Sequence, residues 1–418
     1  MTYDVSGGER FFYAPADLHY LIMQGAIRMK DKVDRNDLQR AADTTFGLFP
    51  FLKSRAVLRD GRYVLETIDE PYIVYEQEEP VVPGSPENGD CLMTVGCWDN
   101  LIRNDFYHGL CDGRGDMEFL RHLLYYYCLY HYGGELKCHD ILAPGTPPLP
   151  EMYAPFDNSL IVPPKHSADL HLPAEVFTLP EKRRAPDKEN VVYEITLNQR
   201  EFIRFSKEND GSPAVIVALL MARAVDEVHP DADRPVAIRM PVDLRGVLKR
   251  QQTIRPCITY LELVYSKRLK ALPFSRQCTC FRGMVFVQSA SEQLVAQYLR
   301  ESRQMEEILA LPTPEERGEA VRSILTGYGP MVSYVGQQNY DDVENYREHF
   351  TSLSGVSVMG NLIEIFTTGD NVNISMINAL ETDAYYRAFL HQLDTVGIKY
   401  TVEEPEYFVP LKPCLPRE

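Results

Sequence analysis

Ten of the chain's 29 prolines fall between positions 144 and 186. Proline locks φ and removes a backbone donor, so a run this dense excludes regular helix and central strand. The chain is thereby divided into an N-terminal lobe over 1–143, a connector over 144–186 and a C-terminal lobe over 187–418. Leu160-Ile161-Val162 is too apolar for a free tether, so the connector is expected to lie against the protein. At 418 residues the chain exceeds a usual single core. Two lobes of roughly 150–250 residues are the default for that length.

Periodicity fills in both lobes. Asp17, with Leu18, Leu21 and Ile22 after it, signals an early helix, and a short strand is expected around Ile27. Asp34 opens a helix through Leu38, Ala41, Ala42, Thr45 and Phe46, apolar at three- and four-residue steps, which Pro50 stops. Lys53–Leu58 and Arg62–Thr67 flank Asp60-Gly61 as a hairpin. Strands are expected at Leu92–Val95 and Leu101–Phe106, then a long helix from Gly115 to Tyr132 ended by Gly133-Gly134.

In the C-terminal lobe, strands are expected at Val191–Leu197, Pro235–Pro241, Ile258–Tyr265 and Met331–Val335. Val356–Thr367 and Val372–Asn378 form a hairpin around Gly369-Asp370-Asn371. Helices are expected at Gln199–Lys207, Pro213–Val228, Phe281–Leu309 and Ala384–Val396. Both lobes mix strands and helices, so the class is α/β.

Composition narrows the function. Sixty acidic residues against 43 basic ones give a formal net charge of −17, which disfavours nucleic acid and anionic lipid as partners. Nine irregularly spaced cysteines do not make a disulfide framework. The tight pair Cys278-Thr279-Cys280 lacks the second pair or the histidine of a zinc site, so no metal is expected. The N-terminus lacks the apolar run of a signal peptide, and no stretch reaches the roughly 20 apolar residues of a membrane helix. A cytoplasmic enzyme or binding protein is the expectation. Gly355-Val356-Ser357-Val358-Met359 lacks the second glycine of a nucleophile elbow, which disfavours a serine hydrolase. Glu118 and His122, four residues apart with no third ligand, read as a solvated helix face, and Lys182-Arg183-Arg184 as a solvated connector.

The feature that carries chemistry is His108-Gly109-Leu110-Cys111-Asp112-Gly113, between a strand and a helix. A general base needs a rigidly presented imidazole with its pKa near working pH. A strand end followed by glycine provides that presentation for His108. Asp112 is placed to hold the turn by bonding backbone N–H groups or a buried arginine, and Gly113 to permit the bend into the helix.

Tyr107-His108-Gly109-Leu110-Cys111-Asp112-Gly113 resembles the His-His-x-x-x-Asp-Gly motif of peptide-synthetase condensation domains. It also resembles the His-x-x-x-Asp-Gly form of standalone alcohol acyltransferases and of chloramphenicol acetyltransferase. Tyr107 in place of the first histidine fits the standalone enzymes better. The resemblance extends to Leu38–Ala42 with Phe49–Leu52, to Pro241-Val242-Asp243-Leu244-Arg245, and to Ser333-Tyr334-Val335-Gly336. It departs at Ile254-Arg255-Pro256-Cys257, where relatives carry Gly-Asn.

The resemblance to this CoA-dependent acyltransferase superfamily implies two similar chloramphenicol-acetyltransferase-like α/β lobes with a tunnel between them. Within the tunnel, His108 is the implied general base and Asp112 its structural support, partnered by Arg245; Ser333 is the oxyanion candidate. No bound cofactor is implied. Acyl-CoA is the expected co-substrate and a small alcohol or amine the acceptor, with no covalent intermediate. Two further readings stand beside this one: a condensation-type enzyme using a thioester on a carrier protein, and an inactive protein that keeps the tunnel for a hydrophobic ligand.

Overall fold

The computed structural model describes residues 1–14, 21–165, 167, 170, 173, 175–185, 187–326, 329–337, 340–354 and 360–416. A short strand, β1 (Thr2–Asp4), and a single turn, α1 (Arg10–Tyr13), precede β2 (Ile22–Met29). Ile22 therefore belongs to a strand and not to an early helix; Leu21 lies just before that strand. Ile22 pairs with Tyr107 across the sheet, and the burial of Ile27 and Met29 around exposed Arg28 is the alternation of a strand. Asp17 and Leu18 lie outside the described residues, as does the segment 355–359.

Next comes α2 (Arg35–Leu48), where the Asp34 carboxylate accepts from the N–H groups of Asn36 and Asp37 and buries Leu38, Ala41, Ala42, Thr45 and Phe46. The strands β3 (Ser54–Arg59) and β4 (Arg62–Thr67) form a hairpin. Asp60 and Gly61 both adopt positive φ, 49° and 71°, as a turn matched to strand twist demands. The lobe ends with β5 (Tyr75–Glu76), β6 (Met93–Trp98), β7 (Leu101–Tyr107) and α3 (Gly113–Tyr132).

The second lobe runs β8 (Asn190–Asn198), α4 (Gln199–Glu208), α5 (Pro213–Val228), β9 (Val236–Asp243), β10 (Ile258–Tyr265) and α6 (Lys267–Lys270). The long helix expected over 281–309 is broken. It forms α7 (Phe274–Gln288) and α8 (Ser291–Leu309), with Ala290 extended at ψ 138° between them. A further helix, α9 (Pro314–Thr326), leads to β11 (Met331–Gln337). After β12 (Arg347–Ser354) come β13 (Asn361–Thr368), β14 (Asn371–Asn378), α10 (Ala384–Val396), β15 (Thr401–Val402) and β16 (Glu406–Phe408). The order across the sheet is β10-β9-β11-β13-β14-β8, with β15 and β16 both pairing with β8. One face of this sheet packs on α5, which is buried from Val215 to Ala222, and on α10.

The exception is β12. It leaves its own lobe and pairs antiparallel with β2, giving the first lobe a sheet of order β12-β2-β7-β6-β5. Residues 1–143 therefore do not supply every strand of that sheet. The first core likewise takes in Ile254, Met305, Ile308, Val321, Leu325 and Phe350 from the second half of the chain. Parts of the connector lie against the protein, with Met152, Tyr153 and Phe156 buried and the Phe177 N–H donating to Pro235, but Leu160 and Val162, on which that expectation rested, are exposed.

Candidate functional site between the lobes

Strand β7 ends at Tyr107, which is fully buried and whose hydroxyl donates to the Phe12 carbonyl. The turn that follows is closed by the Leu110 N–H bonding the Tyr107 carbonyl at 2.8 Å, while the His108 N–H donates to Leu21 at 2.7 Å. A side chain at Gly109 would lie 2.6 Å from the Tyr107 ring and 2.7 Å from Tyr13. Glycine is required there by space. The His108 ring is half-buried and stacks on Phe12, with centroids 4.4 Å apart and planes 20° from parallel. Its Nδ1 has no partner of ordinary hydrogen-bond geometry among the described residues. Burial lowers its pKa, opposed by the backbone at His108 and Cys111 and by the Asp112 charge, so the ring is neutral at neutral pH.

Asp112 faces the other way. It caps α3, and its Oδ1 accepts from the Gly115 N–H at 3.0 Å and from Arg245 Nη2 at 2.7 Å. Its Oδ2 accepts from the Cys257 N–H at 3.0 Å. Arg245 is equally enclosed and donates further to the Thr253 and Arg255 carbonyls and to Asp243. A buried ion pair survives only when its remaining donors and acceptors are satisfied, and here they are. Gly113 does not serve the bend: its φ is not positive, and a Cβ there would meet only Val335 at an ordinary 3.7 Å. Within α3 the glycine without room for a side chain is Gly115, whose Cβ would fall 2.2 Å from the Ile254 carbonyl oxygen.

A second buried ion pair stands at Arg255, in the segment Ile254-Arg255-Pro256-Cys257. Arg255, fully buried, donates through Nε to Glu9 at 2.8 Å and through Nη1 to the Tyr153 carbonyl at 3.0 Å. Burial raises the Glu9 pKa, and the Arg255 charge opposes that rise. Arg245 and Arg255 both come from the loop between β9 and β10 and reach into the first lobe, one to the start of α3 and the other to the chain's N-terminal segment.

Between the lobes lies a cavity of about 340 Å³, lined by His108, Phe11, Phe12 and Met23 on one side and by Ile258, Tyr260, Met331, Ser333, Leu362 and Glu364 on the other. Gly113, Asp112 and Arg245 also reach its wall. The walls are mostly apolar, with a few convergent polar groups, which is the pattern of a small-molecule site. Arg114 and Asp243, 2.5 Å apart and both exposed, bridge the lobes beside it. Burial would raise Asp243, but the hydrogen bonds and charge of Arg245, with Arg114, hold it below the usual carboxylate range.

Ser333 on β11 lies directly across from Glu364 on β13. Glu364 was not singled out in the sequence; an acid flanked by Ile363 and Ile365 in a strand was the available signal. His122, read as part of a solvated face, is buried instead: its Nε2 accepts from the Leu142 N–H, leaving Nδ1 to donate to the Glu118 carbonyl. Both ring nitrogens are thereby used by the backbone.

No known protein-family model matches the chain, and no curated protein resembles it in sequence. Solved structures do match in fold. Polyketide synthase associated protein 5 from Mycobacterium tuberculosis superposes with a TM-score of 0.63 at 14% identity, over 94% of this chain and 98% of that one. The first condensation domain of the CDA synthetase gives 0.61 at 14%, over 97% and 99%. TRI101 of Fusarium sporotrichioides, solved with coenzyme A and T-2, gives 0.60 at 12%, over 96% and 99%. The chain has the two-lobed α/β fold that condensation domains and trichothecene acetyltransferases share.

Proposed function

We propose that this chain, with the fold of condensation domains and trichothecene acetyltransferases, transfers an acyl group from acyl-CoA to a hydroxyl or amine acceptor. The observation that carries the proposal is a half-buried imidazole at a strand end, lining a cavity walled by both lobes. In this reading His108 takes the acceptor's proton as its oxygen or nitrogen attacks the thioester carbonyl. The resulting tetrahedral oxyanion collapses, the carbon–sulfur bond breaks, and the imidazolium returns its proton to the departing thiolate. No covalent acyl-enzyme forms. In the same reading Ser333, which lines the cavity, donates to the oxyanion. Asp112 and Arg245 touch no reacting atom and act by fixing the loop that presents His108.

His108→Ala is expected to lower kcat by about 10²–10⁴-fold, the span a positioned general base contributes, while the melting temperature stays close to that of wild type. Mass detection of products from an acyl-CoA panel against pooled alcohols and amines is the assay. Turnover in the variant equal to wild type would remove His108 from the chemistry. The likeness to condensation domains supports a second reading, with the thioester on a carrier protein's phosphopantetheine arm. Comparing free acyl-CoA with acyl-loaded carrier as donor separates the two. No transfer from either donor would leave a binding protein that keeps the cavity.

A further inference from the structure

Four side chains form a row across the second lobe's sheet on the face turned away from α5 and α10. Ser333 of β11 is the register partner of Glu364 of β13, Glu364 of Ser375 of β14, and Ser375 of Glu194 of β8. Register partners point to the same face of a sheet. The neighbouring row on that face is Met331, Leu362, Ile377 and Val192, all apolar and clustered together. An apolar stripe thus runs beside a stripe holding two carboxyl groups, and the first ends of both stripes form cavity wall.

The carboxyls in that row are incompletely satisfied. Glu364 is only 5% exposed and lines the cavity, yet its Oε2 has no hydrogen-bond partner among the described residues. Glu364 accepts from the Ser352 hydroxyl. Glu194 repeats the arrangement two strands away: Oε1 accepts from Ser375 at 2.7 Å, and Oε2 has no partner among the described residues. The charges acting on Glu194 are those of other acids, Glu406, Glu403 and Glu364. Burial raises the pKa of both groups.

We propose that Glu364 is the specificity-determining anchor of the acceptor site, holding the ammonium group of an amphipathic amine whose hydrocarbon part lies along Met331 and Leu362. The inference rests on the transferase reading of the same cavity and names its substrate class. A cation is favoured over a neutral hydroxyl because each glutamate already accepts from one serine hydroxyl, Ser352 on Glu364 and Ser375 on Glu194. What the row lacks is positive charge. An ammonium placed there offsets both the desolvation of Glu364 and its repulsion with Glu194, which a second hydroxyl cannot do. The free Oε2 supplies the charge-assisted bond that fixes the acceptor's orientation.

The test is calorimetric titration of the full chain with octylammonium and with octan-1-ol, on wild type and on Glu364→Gln. Wild type is expected to bind octylammonium at least tenfold more tightly than octan-1-ol, and Glu364→Gln to erase that preference. Equal affinity of wild type for the two probes, or a preference that survives Glu364→Gln, overturns the anchor. If Glu364→Gln does not fold, the wild-type comparison decides alone. Acetyl transfer from acetyl-CoA to the hydroxyl of 8-aminooctan-1-ol and to octan-1-ol is measured alongside. Absence of transfer to both removes the transferase reading while the binding result still reads the anchor.

Discussion

At the scale of single residues, His108 and Asp112 divide one motif into two tasks. The histidine points into the cavity against Phe12, and the aspartate turns inward to Gly115, Cys257 and Arg245. The division sets the acidic side of the pH profile. A base works only when unprotonated, and burial holds the His108 pKa below the ordinary 6.5. With His108 as the proposed base, activity is expected to be lost as pH falls through that lowered value and to be fully present above it. A kcat/KM profile with its acidic limb below pH 6.5 is the expected result; a limb above it would mean that the Asp112 charge outweighs burial. This motif was legible in the sequence because its spacing is local. Glu364 was not, because what distinguishes it is its company: Ser333, Ser375 and Glu194 are brought beside it only by strand pairing.

At the scale of elements, α3 shows why glycines in one short segment are not equivalent. Gly113, at the first position of the helix, has room for a methyl group, whereas Gly115 presses against the Ile254 carbonyl of the other lobe. Gly113→Ala is expected to shift the melting temperature little. Gly115→Ala is expected to destabilise by about 1–3 kcal/mol, the usual range for overpacking, and to lower activity with it. Thermal denaturation of the two variants compares them directly.

Elements built on strong local signals, such as α2 with its Asp34 cap and the Asp60-Gly61 hairpin, stand where periodicity and turn chemistry put them. Those set by tertiary context do not. The break after Gln288 interrupts a run whose helical pattern continues on both sides. The early apolar residue Ile22 serves a strand because Tyr107 and Phe106 of β7 lie beside that segment. Strand β12, with Arg347, Glu348, His349, Thr351 and Ser352 in its eight residues, has too little apolar alternation to be recognised alone.

At the scale of the whole molecule, the loop between β9 and β10 ties the lobes together through Arg245–Asp112 and Arg255–Glu9. Removing one partner of such a pair leaves a buried charge uncompensated, which costs about 3–5 kcal/mol. Asp112→Ala is expected to lose stability on that order. The double variant Asp112→Ala/Arg245→Met is expected to recover part of it, since neither charge is then left buried without its partner. Chemical denaturation of the single and double variants measures the coupling. A double variant no more stable than Asp112→Ala would show that the aspartate acts through its helix cap and its Cys257 bond rather than through the arginine.

One consequence reaches past the chemistry. Because β12 belongs to the second half of the chain by connectivity and to the first by its hydrogen bonds to β2, opening the molecule like a clamshell would require tearing that ladder. In the proposed transfer, reactants then enter from the rims of the cavity and not by separation of the halves.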